Sequence, residues 1–434
     1  MKIAIIGAGV AGLSAGFYLT KNGLDVTIYE ATSEVGGRVT SFVDSKTQDV
    51  IDNGQHLLIG AYFTFLDILS ECGQLSKLNR MESVNIPYFY ADGKMDLLSS
   101  NIRNSPIGFL FALFSLKTIS KKSKLKTFAF FLRLLSNTIT IKNKTVYEVL
   151  NSTKQNNEII ALLWQPLTLA TLNTDIDKAS MELLTNVLKK GFLASGSSSN
   201  LIFGNVPLLN LLTPQKEFII QKGGNFVFNK KIDAIQKLGD KYIVDNQEFD
   251  KIILASSFVS TEKIIATMAE DNLTLPKVEF SPIVSIYLWF DKDYFNFDFS
   301  AFIGTSIQWV FNKRRIIKDN KHDGLISITI SAANLIIEKS NNEIIELCYN
   351  DLKTSLNLPN LPKPQHYRVF KEKNATILAS HENETQRPKQ LTLNKNIYLA
   401  GCYTDTKYPS TIEGAALSGK FIADEIISNL KKQN

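Results

Sequence analysis

The chain opens with a continuous apolar run, Ile3 to Ile6, followed by glycines and then by apolar residues at helical spacing. Such a run is typical of a strand that is covered on both faces. The segment from Val10 to Lys21 predicts a helix that ends at Asn22-Gly23. The next segment, DVTIYE, predicts a second strand that ends in Glu30. A strand, a glycine turn, a helix and a strand in this order indicate a βαβ unit.

The rest of the chain alternates between two interleaved domains. The segments IVSIYLWF, SIQWVF and GLISITISA predict a separate sheet, which a helix over 341–357 and a strand around 366–371 follow. Residues 96–205 are predicted to be helical and to cover this sheet. We therefore expect an α/β protein with a discontinuous Rossmann-like domain, and with an interleaved α+β domain that binds substrate. The expected bounds are 1–95, 206–280 and 385–434 for the first domain, and 96–205 and 281–384 for the second.

Within the first domain, Thr213-Pro214 predicts the start of a helix that runs to Gly223-Gly224. Short strands over 225–256 would then return the chain to the first sheet.

Composition narrows the class of protein. A chain of 434 residues with 44% hydrophobic and 21% charged residues can bury two domain cores. Three widely spaced cysteines offer neither a disulfide framework nor metal-ligand spacing, so we expect a reducing, cytoplasmic compartment and no metal. The N-terminus has neither a basic n-region nor a cleavage site, so no secretory signal is expected. The net charge of +6 indicates either affinity for an anionic surface or coding bias, and no nucleic-acid partner is predicted.

The glycine turn has the spacing GxGxxG. Gly7 permits the tight turn, Gly9 with Ala11 admits a pyrophosphate at the helix N-terminus, and Gly12 lets the helix pack closely on the sheet. Glu30 lies 18 residues after Gly12, and an acidic side chain there accepts hydrogen bonds from ribose hydroxyls. The order of these features within thirty residues predicts a dinucleotide site.

The segment EVGGRVTSF follows the acid-terminated strand and supplies Gly36, Gly37 and Arg38. This Glu30-x5-GlyGlyArg pattern resembles the flavin-containing amine oxidase and phytoene desaturase superfamily, which implies tightly held FAD. The resemblance implies that Arg38 lies near the pyrophosphate. The alternative is that Arg38 is a solvated charge on the surface with no role in binding. It also implies that a main-chain segment at Ile232 contacts the adenine.

The C-terminal segment AGCYTDTKYPSTIEGAALSG predicts a strand end, a polar loop and a helix with small residues along one side. In the superfamily this helix aims its first N–H groups at the flavin, and a helix N-terminus stabilises the negative charge of reduced flavin. The resemblance implies a set of contacts here: Gly401, Cys402, Thr411, Ile412, Gly414 and Ala415. Cys402 stands where the family pattern leads one to expect an aspartate. An amphipathic helix packed only for stability is the alternative.

Three stretches carry a narrower resemblance that spans the chain. They are DNGQHLLIGAY at 52–62, WQPLTLATLNTDIDKAS at 164–180 and the C-terminal segment. Together they resemble the hydroxysqualene dehydroxylases, which use FAD in bacterial squalene and hopanoid formation. This implies reductive removal of an allylic hydroxyl, an apolar tunnel for a squalene-type isoprenoid, and an external electron donor or reductase. Trp164 would either line that tunnel or be part of the hydrophobic core.

The resemblance also places the DNGQH stretch against the flavin, with Asn53 and Gly54 approaching the ring. Gln55 and His56 would then present polar groups at the reacting face. His56 is the first candidate for a general acid because histidine can hold a transferable proton near neutral pH. Its alternative is a neutral histidine that orients the flavin. Tyr62 and Tyr403 are further candidates, whereas Asp52 is expected to fix local backbone.

Residues 105–135 contain two apolar blocks that flank five lysines, Lys117, Lys121, Lys122, Lys124 and Lys126. Neither block reaches the roughly 20 residues needed to span a bilayer. A helical pair lying on the inner face of the cytoplasmic membrane, with its lysines at anionic headgroups, is one interpretation. Ordinary helix packing with a solvated basic loop is the other.

Three rival functions share much of this pattern. A carotenoid or dehydrosqualene desaturase would have the same fold, cofactor and tunnel but would move hydride toward the flavin. An amine oxidase would need an aromatic cage and a lysine-held water, neither of which the sequence locates. A flavoprotein without catalytic activity would bind FAD and turn nothing over.

Overall fold

A computed structural model describes residues 1–104, 108–192, 194, 196–268, 273–317 and 323–433. In chain order the strands are β1 Lys2–Ile6, β2 Asp25–Tyr29, β3 Ser41–Val43, β4 Val50–Asp52, β5 Leu58–Ile59, β6 Leu78–Met81, β7 Asn85–Tyr90, β8 Met95–Ser99, β9 Leu201–Gly204, β10 Asn225–Val227, β11 Gln236–Leu238, β12 Lys241–Val244, β13 Gln247–Phe249, β14 Lys251–Leu254, β15 Phe280–Phe290, β16 Phe299–Ile303, β17 Trp309–Asn312, β18 Gly324–Ser331, β19 His366–Ile377 and β20 Ile397–Leu399. The helices are α1 Val10–Lys21, α2 Phe63–Glu71, α3 Gly108–Ala112, α4 Lys121–Leu135, α5 Val146–Ser152, α6 Asn157–Ile159, α7 Gln165–Leu172, α8 Met181–Val187, α9 Leu209–Gln221, α10 Phe258–Thr267, α11 Lys313–Ile316, α12 Asn341–Ser355, α13 His381–Gln386 and α14 Ile412–Gln433. Two π-helical segments, Ile160–Trp164 and Leu188–Phe192, extend α6 and α8.

A parallel sheet with the strand order β10-β2-β1-β14-β20 forms the centre of the first lobe. Its strands are almost continuously apolar because both faces are covered, as the run at Ile3 to Ile6 predicts. Helices α1 and α14 pack on each other so closely that a Cβ at Gly419 would lie 2.3 Å from the Ala11 carbonyl oxygen. The Ser14 hydroxyl also donates to the Ala416 carbonyl at 2.6 Å. The N-terminal and C-terminal segments therefore pack together in the first lobe.

A seven-stranded sheet with the order β19-β15-β18-β17-β16-β7-β8 forms the second lobe. Its neighbours are antiparallel except for the parallel pair β7 and β16. One face packs on α12 through Ile344, Cys348 and Leu352. The other face is turned toward the helices of residues 108–192 and toward a cavity. The expected α/β class with a Rossmann-like and an α+β part is confirmed.

The structure differs from the sequence expectations in three places. Strand β7 pairs with β16, so the chain joins the second sheet before residue 95. The stretch 96–205 is not wholly helical, because β9 pairs with β5 and β6. Helix α9 begins at Leu209 and contains Pro214 in its interior instead of starting there. The five residues before Pro214 belong to the helix because Leu211 and Leu212 are buried in the core of the first lobe.

Within the described parts of the chain, none of the helices combines the length and the apolar character that crossing a membrane requires.

Candidate active site

A cavity of about 730 Å³ reaches from the glycine turn after β1 to the helices over the seven-stranded sheet. Most of the predicted site residues line it: Gly7, Gly9, Ala11, Glu30, Gly36, Gly37, Arg38, Asn53, Gly54, Gln55, His56, Tyr62, Ile232, Gly401, Cys402, Tyr403, Thr411, Ile412 and Ala415. Sequence positions up to about 400 apart therefore meet at one site.

The glycine turn leaves the N-terminus of α1 open toward this cavity. Gly9 is the N-cap residue, it has no side-chain cap, and a Cβ placed on it would meet no protein atom within 4 Å. The backbone at Gly7 has φ of 110°, and Gly36 forms a bridge with Gly9. Uncapped N–H groups at a helix N-terminus form an anion site, so this space fits a pyrophosphate.

Two predicted glycines lie outside the cavity lining. A Cβ at Gly12 would lie 1.9 Å from the Gly7 carbonyl oxygen, and one at Gly414 would lie 2.8 Å from the Pro409 carbonyl oxygen. Both residues let main chain pack closely behind the cavity wall. They support the cofactor site without touching its interior.

The carboxylate of Glu30 lies at the end of β2 and is held in place by main chain. It accepts hydrogen bonds of 2.9 Å from the backbone N–H of Ala8 and from the backbone N–H of Thr32. A fixed carboxylate at this edge of the sheet can accept from the hydroxyls of a ribose.

Arg38 lies on the opposite side of the cavity lining and joins two distant parts of the chain. Its guanidinium donates to the Ala375 carbonyl at 2.5 Å and contacts Cys402 Sγ at 3.0 Å. Cys402 thus occupies the side-chain position beside Arg38, in place of the aspartate of the family pattern. The sequence does not reveal this pairing because 364 residues separate its members.

The N-terminus of α14 brings Thr411, Ile412 and Ala415 to the cavity. The phenol of Tyr62 lies beside the Thr411 side chain. Behind them Glu413 accepts from the backbone N–H groups of Thr64 at 2.9 Å and Phe65 at 3.0 Å, and burial raises the pKa of Glu413 to about 7. Glu413 therefore ties the start of α2 to the start of α14, a role that the sequence analysis missed.

The DNGQH stretch is anchored by a buried lysine that the sequence analysis also missed. Lys313, at the start of α11, is 1% exposed and lies 3.3 Å from Asp52 Oδ2. Its Nζ donates to Gln55 Oε1 at 2.8 Å, and the Gln55 amide donates to the His56 carbonyl at 3.2 Å. Both polar ends of Gln55 are therefore engaged by protein. Asp52 also accepts from the Leu208 N–H at 2.9 Å, so the main chain that it holds is 156 residues away and not the local backbone that the sequence predicts.

His56 lines the cavity and is partly exposed there. Burial lowers the pKa of His56, and the cations Arg38 and Lys313 lower it further, whereas Asp52 opposes them. The imidazole is therefore neutral near pH 7. This disagrees with the expectation of a readily protonated histidine, although a neutral imidazole still donates one N–H hydrogen bond.

This lowered pKa predicts how stability depends on pH. Below pH 6.5 the unfolded chain binds a proton at His56 that the folded protein does not, so acidification favours unfolding. We expect the free energy of unfolding to fall between pH 7 and pH 5, and to fall less in the His56→Gln variant. Urea denaturation at each pH measures this difference. Identical pH dependence in both proteins would contradict the assignment.

Two aromatic candidates have structural roles. The Tyr403 hydroxyl contacts Thr261 Oγ1 at 3.3 Å and the Leu254 carbonyl at 3.5 Å, so it is engaged within the first lobe and is not free to protonate a substrate. Trp164 is fully buried between Phe130 and Phe131, and it belongs to the core of the second lobe.

A further part of the cavity lining is apolar and comes mainly from the second lobe and its helical cover. Its members, which we call the apolar wall, are Val84, Ile86, Tyr88, Leu98, Leu163, Pro166, Leu167, Leu169, Val187, Leu201, Trp309 and Phe311. A wall with so few polar groups suits a hydrocarbon ligand.

Comparison with known proteins agrees with this geometry. The family model described as flavin containing amine oxidoreductase matches residues 10–427. The chain belongs to this family. It is therefore an FAD-dependent oxidoreductase, and the uncapped α1 turn, Glu30 and the start of α14 are the groups that we expect to hold FAD.

Individual proteins of known function show which members of the family this chain resembles. The chain is 27% identical to the hydroxysqualene dehydroxylase of Sinorhizobium fredii, over 98% of both chains. It is 25% identical to the 15-cis-phytoene desaturase of an Oncidium hybrid, over all of this chain and 78% of that protein. The expected resemblance to hydroxysqualene dehydroxylases is thus confirmed. A solved oxidoreductase from Methanosarcina mazei has the same fold, with a TM-score of 0.72, 17% identity and coverage of 98% and 100%.

Proposed function

We propose that this protein removes the allylic hydroxyl of hydroxysqualene reductively and releases squalene. The observation that carries the proposal is the continuity of the cavity, in which the predicted FAD-binding residues and the apolar wall border the same space. A thirty-carbon isoprenoid needs such a wall along most of its length, with polar groups only where it reacts. The likeness to hydroxysqualene dehydroxylases supports the same substrate.

The reaction breaks one carbon–oxygen bond, forms one carbon–hydrogen bond and consumes one proton to release water. Bound reduced FAD supplies the hydride and its two electrons. The chain itself excludes water along the apolar wall and fixes the DNGQH stretch through Lys313. His56 remains the proposed donor toward the departing oxygen: its neutral imidazole would pass on the proton of its N–H while its other ring nitrogen takes up a proton from water. Tyr62 is held beside Thr411 and is the second candidate.

An anaerobic assay tests this function. FAD-loaded protein is reduced chemically, incubated separately with hydroxysqualene, phytoene and a set of amines, and analysed by mass spectrometry. We expect squalene from hydroxysqualene together with reoxidation of the flavin. In a parallel arm with oxidised FAD-loaded protein, reduction of the flavin by amines alone would overturn the isoprenoid assignment.

A desaturase is the second candidate because 15-cis-phytoene desaturases also match nearly the whole chain. In that case hydride would leave the hydrocarbon for oxidised FAD. Oxidised protein incubated with phytoene and an electron acceptor would then give desaturated products. In the dehydroxylase direction an external reductant is required, and we propose a separate reductase or a reduced pyridine nucleotide for this role.

We further propose that α3 and α4 contact the inner face of the cytoplasmic membrane. Five apolar side chains are exposed along this pair: Phe111, Phe114, Leu125, Leu132 and Leu135. Lys117, Lys121, Lys122 and Lys126 are exposed around them and can meet anionic headgroups. Lys124 cannot, because it is buried and donates to the Phe114 carbonyl at 2.9 Å.

Liposome flotation measures this contact. Leu125 and Leu132 are 63% and 53% exposed, so the Leu125→Glu/Leu132→Glu variant should fold normally and lose its flotation with anionic vesicles. The matched control is Leu335→Glu, at a leucine that is 89% exposed in a turn away from α4. Equal flotation of both variants, or none by the wild type, would contradict the proposal.

A further inference from the structure

Strand β18 carries an unusual alternation for a buried strand. Its sequence is GLISITIS, in which Ile326, Ile328 and Ile330 pack on the α12 side. The opposite positions, Ser327, Thr329 and Ser331, face the interior between the lobes. Alternating polar residues normally mark a strand face that meets water. Here Ser327 and Ser331 are both buried, so the hydroxyls need another explanation.

Ser285 on β15 extends this polar face toward the DNGQH stretch. It lies directly opposite Thr329 in the sheet register, and directly opposed residues have Cβ atoms about 5 Å apart. Ser285 is 5% exposed and lines the cavity, as Thr329 does. Gly54 packs against it so closely that a Cβ there would lie 2.9 Å from Ser285 Oγ. The polar face thus adjoins the predicted reacting face.

These hydroxyls lack partners among the described residues. Thr329 Oγ1 is enclosed and makes no hydrogen bond, and Ser285 Oγ makes none with any described residue. A buried hydroxyl without a partner costs about 1–3 kcal/mol. Thr329 Oγ1 is such a group, and Ser285 Oγ beside it lines the cavity, so a ligand atom at Ser285 can complete a chain of hydrogen bonds.

Three other polar side chains of the cavity lining are already engaged. The Asn173 amide donates to Thr376 Oγ1 at 2.9 Å and accepts from the Ala332 N–H at 2.7 Å. Gln55 is held by Lys313, and the Tyr403 hydroxyl by Thr261. Three lining hydroxyls of this polar face, those of Ser285, Thr329 and Ser331, make no hydrogen bond with a described residue. Of these, Ser285 and Thr329 are directly opposed in the sheet register, where the apolar wall, at Trp309, meets the DNGQH stretch. Trp309 is the neighbour of Thr329 on β17.

We propose that Ser285 binds the oxygen of the allylic alcohol, with Thr329 as the hydroxyl behind it. A serine hydroxyl can donate to the substrate oxygen while it accepts from a neighbouring hydroxyl, and hydroxyl rotors adjust to such a chain. This pair would place the only polar atom of a long hydrocarbon at a fixed point in the cavity, and so determine which carbon reacts. The assignment rests on the proposed function and deepens it.

The test compares binding of the alcohol with binding of the product hydrocarbon. Hydroxysqualene and squalene are titrated into oxidised FAD-loaded protein, and flavin absorbance or fluorescence reports each dissociation constant. We expect the wild type to prefer the alcohol, and Ser285→Ala and Thr329→Val each to reduce this preference by about 10-fold. Squalene affinity and thermal stability should be unchanged or higher, because each variant removes a buried hydroxyl without a partner.

The matched control is Ser300→Ala. Ser300 on β16 is also buried with an unpartnered hydroxyl, but it does not line the cavity, so its variant should retain the wild-type preference. An unchanged alcohol preference in Ser285→Ala, in a protein that still makes squalene, would overturn the assignment alone. A Ser285 or Thr329 variant that alters FAD affinity but not the alcohol preference would also overturn the assignment, because the hydroxyl would then hydrogen-bond with the flavin and not with the substrate. A wild type that makes no squalene would overturn the proposed function itself.

Discussion

Replacement of Gly9 by valine should yield a folded protein that no longer retains FAD. Gly9 has φ of −71°, which any residue can adopt, and no protein atom lies within 4 Å of a Cβ built there. The added side chain would instead occupy the space in front of the α1 N–H groups. An overpacked contact costs up to about 3 kcal/mol, or roughly 100-fold in affinity. Calorimetric titration of the apoprotein with FAD measures the loss, and circular dichroism checks the fold.

The neighbouring Gly12→Val variant provides the contrast. Its side chain would collide with the Gly7 carbonyl, so we expect little folded protein instead of a folded apoprotein. If Gly9→Val bound FAD as tightly as the wild type, the glycine turn could not be where the pyrophosphate lies.

Replacement of Lys313 by methionine should destabilise the protein by about 3–5 kcal/mol, because it leaves the Asp52 carboxylate buried without its cation. The pair is almost inaccessible to solvent, with side chains 1% and 3% exposed. The change also frees Gln55, so the DNGQH stretch loses an anchor. Chemical denaturation measures the free energy of unfolding.

Two further variants make this prediction specific. Lys363→Met removes a lysine from an exposed pair with Glu346, and its stability should stay close to that of the wild type. The double variant Asp52→Asn/Lys313→Met should recover part of the lost stability because no unpaired charge remains. A Lys313→Met protein as stable as Lys363→Met would refute the role of the buried pair.

The sequence predicts the elements whose signal is local. The βαβ unit, the strands of the second sheet and helix α12 are read from periodicities of a few residues, and packing does not override them. The glycines of the cofactor turn are predicted equally well, because local steric constraints require glycine at each position. Pro214 shows the limit of local prediction. Proline usually begins a helix, but burial of the preceding leucines lets α9 begin five residues before it.

The missed features are contacts between residues far apart in the chain. Lys313 meets Asp52 across 261 residues, and Glu413 reaches Thr64 across 349. The sequence around Lys313 and around Glu413 looks the same as the sequence around an exposed charged residue. Only the fold shows that both side chains are buried. The alternation in β18 misleads in the same way, because a polar strand face is expected at the surface and here it borders a cavity.

The interlocking of α1 with α14 has a consequence for biosynthesis. The glycine turn that precedes α1 is synthesised about 400 residues before α14, which packs against α1. N-terminal segments generally begin to fold during synthesis, but this one lacks its partner until α14 has been made. We therefore expect FAD to be retained only after α14 has been made, and nascent chains stalled before residue 412 should emerge without flavin.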